Sequence, residues 1–467
     1  MLMPSTRPRR AHVLLWVSVA LFAIFAGLAY SIWEAERDRI EVDPRLLQEV
    51  ADSKSNDPTV TLDEKEWPQW RGARRDGTAV VQNLSINWTK GELPQVWEDT
   101  LPGREKEQAF SSFAVRNSKV YSMLRDGRDE FVVCWDADSG KRLWEEHYDS
   151  GLAPNQQFNR YPGGPRSTPA VDEGRVYTVG ATGIFQCRDA NDGTLHWQHD
   201  LLKEYGAANL QWGTSFSPLV ADNLVYTNPG GPGGKSLVAF DKLSGKEVWA
   251  SQDDPAGYSS PVSIEVEGER QVIFFTGQRV LGVAANDGAL RWQYPWETQH
   301  AVNAATPIPY RVKVEGKERQ HVFISSGYNQ GCALLAITPK PGGGFEVQRV
   351  FSSKRMRSHF GSPVRVGDYI YGFDETFLTC LSLHTGEVEW TRRGFNKGTL
   401  MVVNDYLLIL GETGNLALVK AMPGQYPGET ARADVLEGTC WVMPVVADGK
   451  VYLRNKDKVR CLDLRKK

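Results

Sequence analysis

A strand–turn–strand phrase ending in tryptophan recurs along this chain, and nothing else in the sequence restricts the possible folds as much. It first reads Val132-Val133-Cys134-Trp135-Asp136-Ala137-Asp138-Ser139-Gly140-Lys141-Arg142-Leu143-Trp144. It returns from Phe185 to Trp197 and from Val238 to Trp249. Shorter copies end at Trp292, after Asn286-Asp287-Gly288, and at Trp390, after His384-Thr385-Gly386. An apolar stretch, a polar turn of Asp, Asn or Ser with Gly, and a second stretch make a β-hairpin.

A second phrase precedes each hairpin: Ser or Thr, usually Pro, then an apolar residue. It occurs at Ser112-Phe113-Ala114, Thr168-Pro169-Ala170, Ser217-Pro218-Leu219 and Ser260-Pro261-Val262. It continues at Thr306-Pro307-Ile308, Ser362-Pro363-Val364, Thr399-Leu400-Met401 and Met443-Pro444-Val445. Proline suits the start of an innermost strand, where its missing N–H breaks no ladder. The spacing, about 47 residues, matches the period of a propeller blade. A further strand follows each copy, as in Arg175-Val176-Tyr177, so one unit holds four strands. The sequence therefore predicts an all-β, eight-bladed β-propeller over residues 67–467. The last unit lacks its fourth strand after Cys461-Leu462-Asp463, and Gln95-Val96-Trp97-Glu98-Asp99 carries the missing pattern at the other end of the domain. Pairing the two closes the ring and hides the sheet edges.

The docking positions are Trp97, Trp144, Trp197, Trp249, Trp292 and Trp390. A ring at the end of an outer strand can lie flat on the next blade and offer its N–H to a backbone carbonyl. Identical positions spread around a circle cannot converge on one site, so these residues are structural. Four cysteines, Cys134, Cys187, Cys380 and Cys461, share one repeat position and read as small buried hydrophobes.

The Asp-x-x-(Ser/Asn/Asp/Thr)-Gly-x-x-x-Trp repeat resembles the tryptophan-docking motif of pyrroloquinoline-quinone (PQQ) type propellers, and Glu66-Trp67-Pro68-Gln69-Trp70-Arg71-Gly72 is similar to the opening of many exported members. The resemblance implies one of two branches. Quinoprotein dehydrogenases oxidise alcohols with PQQ stacked on a disulfide between adjacent cysteines, with calcium held by carboxylates and amides. The BamB-like branch keeps the propeller as a binding scaffold. No two cysteines are adjacent here and no calcium-carboxylate set is recognisable, which favours a non-catalytic scaffold with a protein partner and no cofactor. A PQQ-dependent oxidoreductase with a divergent site is the alternative.

Upstream, Arg7, Arg9 and Arg10 precede an apolar run over residues 13–33, followed by Glu34 and Glu36. That length crosses a bilayer, and the charge order keeps residues 1–12 in the cytoplasm and places the propeller on the periplasmic side. The expectation is a single-pass signal anchor in the inner membrane; Gly27-Leu28-Ala29 leaves a cleaved signal peptide open. Residues 34–66 read as a polar, solvated linker with one or two helical turns at Pro44–Val50.

The formal net charge of −3 gives no reason to expect a nucleic-acid partner. Gly230-Gly231-Pro232-Gly233-Gly234-Lys235-Ser236 fails as a phosphate loop, because a strand follows where a helix is needed. The Asp-rich turns lack the bidentate Glu of a calcium loop, and no His pair has metal spacing. No catalytic or metal residue is assigned. Residues just before the inner strands should rim the central funnel: Arg166, Trp212, Tyr258, Asn303, His359, Lys397 and Trp441. Rings, cations and amides of that kind can bind a ligand or a partner loop.

Overall fold

The computed structural model of the chain describes residues 39–55, 63–88, 93–101, 109–151, 163–341 and 343–466. Eight antiparallel sheets follow one another around a ring, each with four strands of its own. Blades one to seven span residues 114–149, 170–200, 219–251, 262–295, 308–353, 364–392 and 399–434. Blade eight takes three strands from residues 445–463 and its fourth from β4, Gln95–Thr100. Trp97 then faces Cys461 and Asp99 faces Val459. Glu98 ties the seam by accepting from Lys458 at 2.9 Å and from Arg460. The predicted eight-bladed fold is the observed one.

The repeat is explained by two interlocks. In the first, Asp136 folds the turn by accepting from Ser139 N at 2.8 Å and Ser139 Oγ at 2.6 Å, bonds that also hold its carboxyl below the usual range. Gly140 completes the turn at φ +71°, and a Cβ there would sit 2.5 Å from the ring of Trp97. The ring therefore lies on the glycine of the next blade, and its N–H donates to Ala137 O at 3.0 Å. The same arrangement joins Trp144 to Gly193 and Ala190 O, Trp197 to Gly245 and Lys242 O, and Trp249 to Gly288 and Ala285 O, whereas Trp390 keeps only the bond, to Met422 O, with no glycine under its ring. Trp292 departs from it: its N–H donates to Gln271 Oε1 in its own blade, over Gly282. Blade five has no matching turn for it to cover. Opposite each ring stands a small residue, Cys134, Cys187, Ala239, Gly282, Cys380 or Cys461, beside a bulge in the ladder. All six cysteines of the chain are buried free thiols.

The second interlock is a belt of hydroxyls at the inner strands. Thr168 N donates to Ser217 Oγ, Ser217 N to Ser260 Oγ, and Thr306 N to Ser362 Oγ, each at 2.9 Å. The Ser/Thr of the second phrase is thus a bond between blades.

Within the stretch expected to be a solvated linker, residues 39–55 pack on the propeller. β1 (Ile40–Val42) pairs with the outer strand of blade five, and β2 (Lys54–Ser55) with its inner strand. Between them α1 (Pro44–Ala51) starts on Asp43, which accepts from Arg45 N and Leu46 N, and buries Leu46 and Val50 against the same blade. Two apolar residues one helical turn apart are enough to dock a short helix, and averaging over a charged stretch hides them.

Residues 63–88 cross the ring and stitch it together. Trp67 exchanges two 2.8 Å backbone bonds with Val115 of blade one, and Pro68 O accepts from Val171 N of blade two. Arg75 donates to Ser217 O and Pro218 O at the start of blade three, both at 3.0 Å. Trp70 Nε1 reaches Thr306 Oγ1 of blade five, and Arg71 Nη2 reaches Pro363 O of blade six at 2.7 Å. β3 (Thr78–Ala79) pairs in parallel with the inner strand of blade seven, and Ser85 N donates to Leu464 O. Burial lowers the Arg71 pKa to about 10 and that of Arg75 to about 9. Backbone carbonyls solvate these two cations in place of water.

Among the described residues no helix is long and apolar enough to cross a membrane. The expected anchor at 13–33 lies outside the described residues, as do residues 1–12.

Trp249→Ala removes an inter-blade ring and its bond, and should cost about 3–5 kcal/mol. Arg75→Met, which strands two buried carbonyls, should cost about 1.5–3 kcal/mol. Chemical denaturation of the purified domain checks both values; a melt like wild type for Trp249→Ala contradicts the interlock.

Candidate functional site

The inner strands leave a central cavity of about 460 Å³. Trp70 forms part of its lining, so the crossing segment supplies a wall to the cavity as well as a strut to the ring. The loops leading into the inner strands supply most of the rest, with Ser217 and Ser260 contributing from the hydroxyl belt, and the turn bearing Tyr328 in blade five completes it.

Of the seven residues expected at the rim, the structure brings Arg166, Trp212, Tyr258, His359, Lys397 and Trp441 to this cup. Asn303 does not join them. It is fully buried, donates to Thr276 O and Trp296 O, and accepts from Ser326 Oγ. A fully bonded amide braces blades four and five. A sequence position just before an inner strand cannot tell which way such a side chain turns.

Three rings outside that set complete the wall. Phe110, Tyr328 and Phe360 are half-buried and line the cup. Phe110 and Phe360 stand just before inner strands, where aromatic character was the available signal, while Tyr328 stands in the turn between the second and third strands of blade five, a position the reading of inner-strand starts does not reach. With them the rings form an almost continuous circuit. Phe110 and Trp441 lie 5.3 Å apart, Trp441 and Phe360 5.1 Å, Phe360 and His359 5.8 Å, and His359 stacks on Tyr328 at 4.9 Å. His300 carries the circuit from Tyr328 to Trp212, and Trp212 meets Tyr258 at 5.9 Å. Arg166 bridges the remaining gap, with its guanidinium 5.8 Å from the centre of Phe110 and a bond to Trp212 O.

The electrostatics are one-sided. Arg166 and Lys397 face the cup, and no carboxylate lines it among the described residues. Burial lowers the Arg166 pKa to about 10, with the neighbouring Tyr258 and Glu130 opposing. Arg166 remains a cation at neutral pH. The acids stand behind the wall. Glu130 is fully buried and accepts from Tyr148 Oη and Ala181 N. Glu412 accepts from Trp441 Nε1 at 2.8 Å and from Lys397 N, fixing both residues from outside. Desolvation lowers His359 to about 4, helped by the Lys397 charge, so its ring is neutral at physiological pH.

Such a site stacks flat or apolar groups and attracts negative charge. It does not fit calcium, which needs about six to eight oxygen ligands and favours carboxylates. Among the described residues no cluster of His, Cys, Asp and Glu is arranged to hold a metal ion. No nucleophile–base pair is assembled in the lining either.

A family model described as outer membrane protein assembly factor BamB matches residues 89–200 and 128–392. No curated protein matches. Among solved structures, BamB from Moraxella catarrhalis is 14% identical, with a TM-score of 0.52 over 80% of this chain and 98% of that one. Quinohemoprotein alcohol dehydrogenase from Comamonas testosteroni is 12% identical, with a TM-score of 0.60 over 93% of this chain and 84% of that one. The computationally designed Ika8 protein is 12% identical, with a TM-score of 0.51 over 79% and 99%. At these identities the likeness concerns the fold.

The neutral ring of His359 gives a direct test. Its imidazole resonances should titrate near pH 4 and stay flat between pH 6 and 8. Lys397→Met should move that titration upward by removing the smaller of the two depressing causes. A midpoint near 6.5 in the wild-type protein contradicts the buried placement.

Proposed function

This chain belongs to the family described as outer membrane protein assembly factor BamB, and from that premise we propose that it is a non-catalytic propeller scaffold that engages another protein through the cup and its rim. The observation that carries the reading is the wall itself. Its rings and cations differ from blade to blade while the strands beneath repeat, and variation on a rigid frame is where specificity can be written. Trp, Tyr and Arg are also the types that dominate energetic centres of interfaces.

In this proposal the segment at 13–33 anchors the protein in the inner membrane and the propeller works on the periplasmic side. The docked arm from Ile40 onward then holds blade five close to the membrane-proximal end of the chain. The partner is a protein of the cell envelope.

The competing reading is a PQQ-dependent oxidoreductase. It draws on the same fold, but the lining lacks carboxylates for calcium and the cysteines are dispersed and buried. Neither observation supports a quinone site of the known kind.

A photo-crosslinking residue at Phe360 should yield a discrete adduct in intact membranes, while one at Leu243, exposed on an outer turn, should not. Adducts at Leu243 alone overturn the rim. Lys65→Cys, at an exposed position, should label from outside the cytoplasmic membrane; protection overturns the orientation. A saturable shift of PQQ absorbance on titration with calcium overturns the scaffold reading.

A further inference from the structure

The order of groups around the cup is more informative than their number. Lys397 enters from the loop before blade seven, Trp441 before blade eight, Phe110 before blade one and Arg166 before blade two. These blades are neighbours in the ring, so two rings stand between two cations. The rings are 5.3 Å apart and Arg166 lies against the outer one. Glu412 fixes the Lys397–Trp441 end of the arc from behind. On the opposite wall the sequence of rings runs from Phe360 through Tyr328 to Tyr258 without a charged group in the lining among the described residues. Positive charge is therefore concentrated on one arc.

Resting on the reading of the cup as a protein-docking site, we infer that its occupant is a short acidic–aromatic segment of the partner chain, with carboxylates on both sides of an aromatic residue. The carboxylates pair with Arg166 and Lys397, and the ring between them lies on Phe110 and Trp441. Charge complementarity sets the sign, because a basic segment would meet two cations in the lining and no carboxylate there among the described residues, Glu375 pairing with Lys397 at 3.7 Å from outside the lining. The rings set the centre, because stacking between aromatic groups adds to the area they bury. The half-buried state of Phe110, Trp441 and Phe360 leaves part of each ring to be covered. A volume of about 460 Å³ falls within the range of sites that enclose a compact ligand.

The test uses the full-length protein in detergent and two blocked peptides, Gly-Asp-Phe-Asp-Gly and its uncharged counterpart Gly-Asn-Phe-Asn-Gly. Calorimetry at low salt should show the acidic peptide binding at least about tenfold more tightly. The advantage should shrink at high salt, since exposed charge pairs are screened. Lys397→Met should weaken the acidic peptide by about tenfold and leave the uncharged one unchanged. Arg166→Gln should do the same if it melts like wild type; Lys397, which is partly exposed, keeps the test valid if it does not. Equal affinities for the two peptides, or no effect of Lys397→Met, overturn the inference. Full competition by phenylacetate at the peptide's own concentration also overturns it, because the site then recognises a small anion. If crosslinks at Phe360 persist while the peptides bind equally, the acidic segment falls and the docking site stands.

Discussion

Everything in this molecule depends on a tryptophan lying on a glycine. The turn glycine of one blade has no Cβ and so leaves room for the ring of the blade before it, and the carbonyl three residues before that glycine receives the indole N–H. One turn thus does two jobs: it reverses its own hairpin and forms the seat of a neighbour. The contact buries a large apolar ring while satisfying its polar atom, which is the condition for keeping an indole inside a protein. Repeated at the four junctions that run from blade eight to blade four, it ties each of those blades to its neighbour, so stability is shared among nearest neighbours as in other repeat folds. The strand from Gln95 to Thr100 carries Trp97 across the junction between the two ends of the domain.

The circle is weakest where the pattern is interrupted. Trp292 turns back into its own blade, and the outer strand of blade seven presents Ala431 and Ala433 where others present a ring. The N-terminal strands add themselves at blade five, which offers Trp292 of blade four no glycine to cover, and at blade seven. β1, α1 and β2 reinforce blade five, and β3 extends blade seven. The segment between them crosses the middle and binds inner-strand carbonyls through two buried arginines. An arginine with planar, divergent donors suits that task, since one side chain can reach carbonyls of more than one blade.

Much of this was legible in the residues. The spacing of the hairpins and of the Ser/Thr-Pro phrases defines the blades, and Trp97 without a repeat in front of it identifies the closing strand. Cysteine at one repeat position foretells a small residue opposite the ring. The crossing segment was not legible, because it does not repeat and is held by Arg71 and Arg75, residues that composition assigns to solvent. The arm over 39–55 was hidden for a similar reason: two apolar residues, Leu46 and Val50, decide its fate within a charged stretch. At the cup the inner-strand starts locate Arg166, Trp212 and Trp441. They mislead at Asn303, whose amide serves the frame, and they pass over Tyr328, which stands in a turn between later strands of blade five, and Phe360, the neighbour of His359.

The crossing segment also sets a timetable. It is among the first parts of the propeller to be made, yet its bonding partners are spread from Val115 to Leu464. Val403 and Leu464 lie hundreds of positions downstream of the residues they hold, and such distant contacts form slowly because long loops must close first. During synthesis Trp67, Arg71 and Trp97 must wait while one blade after another is completed. For that interval the growing chain is an open arc with uncovered strands at both ends and an unfilled axis, a state prone to mispairing. The molecule becomes a ring only when its last strand is released, and its earliest residues take their places at the same moment.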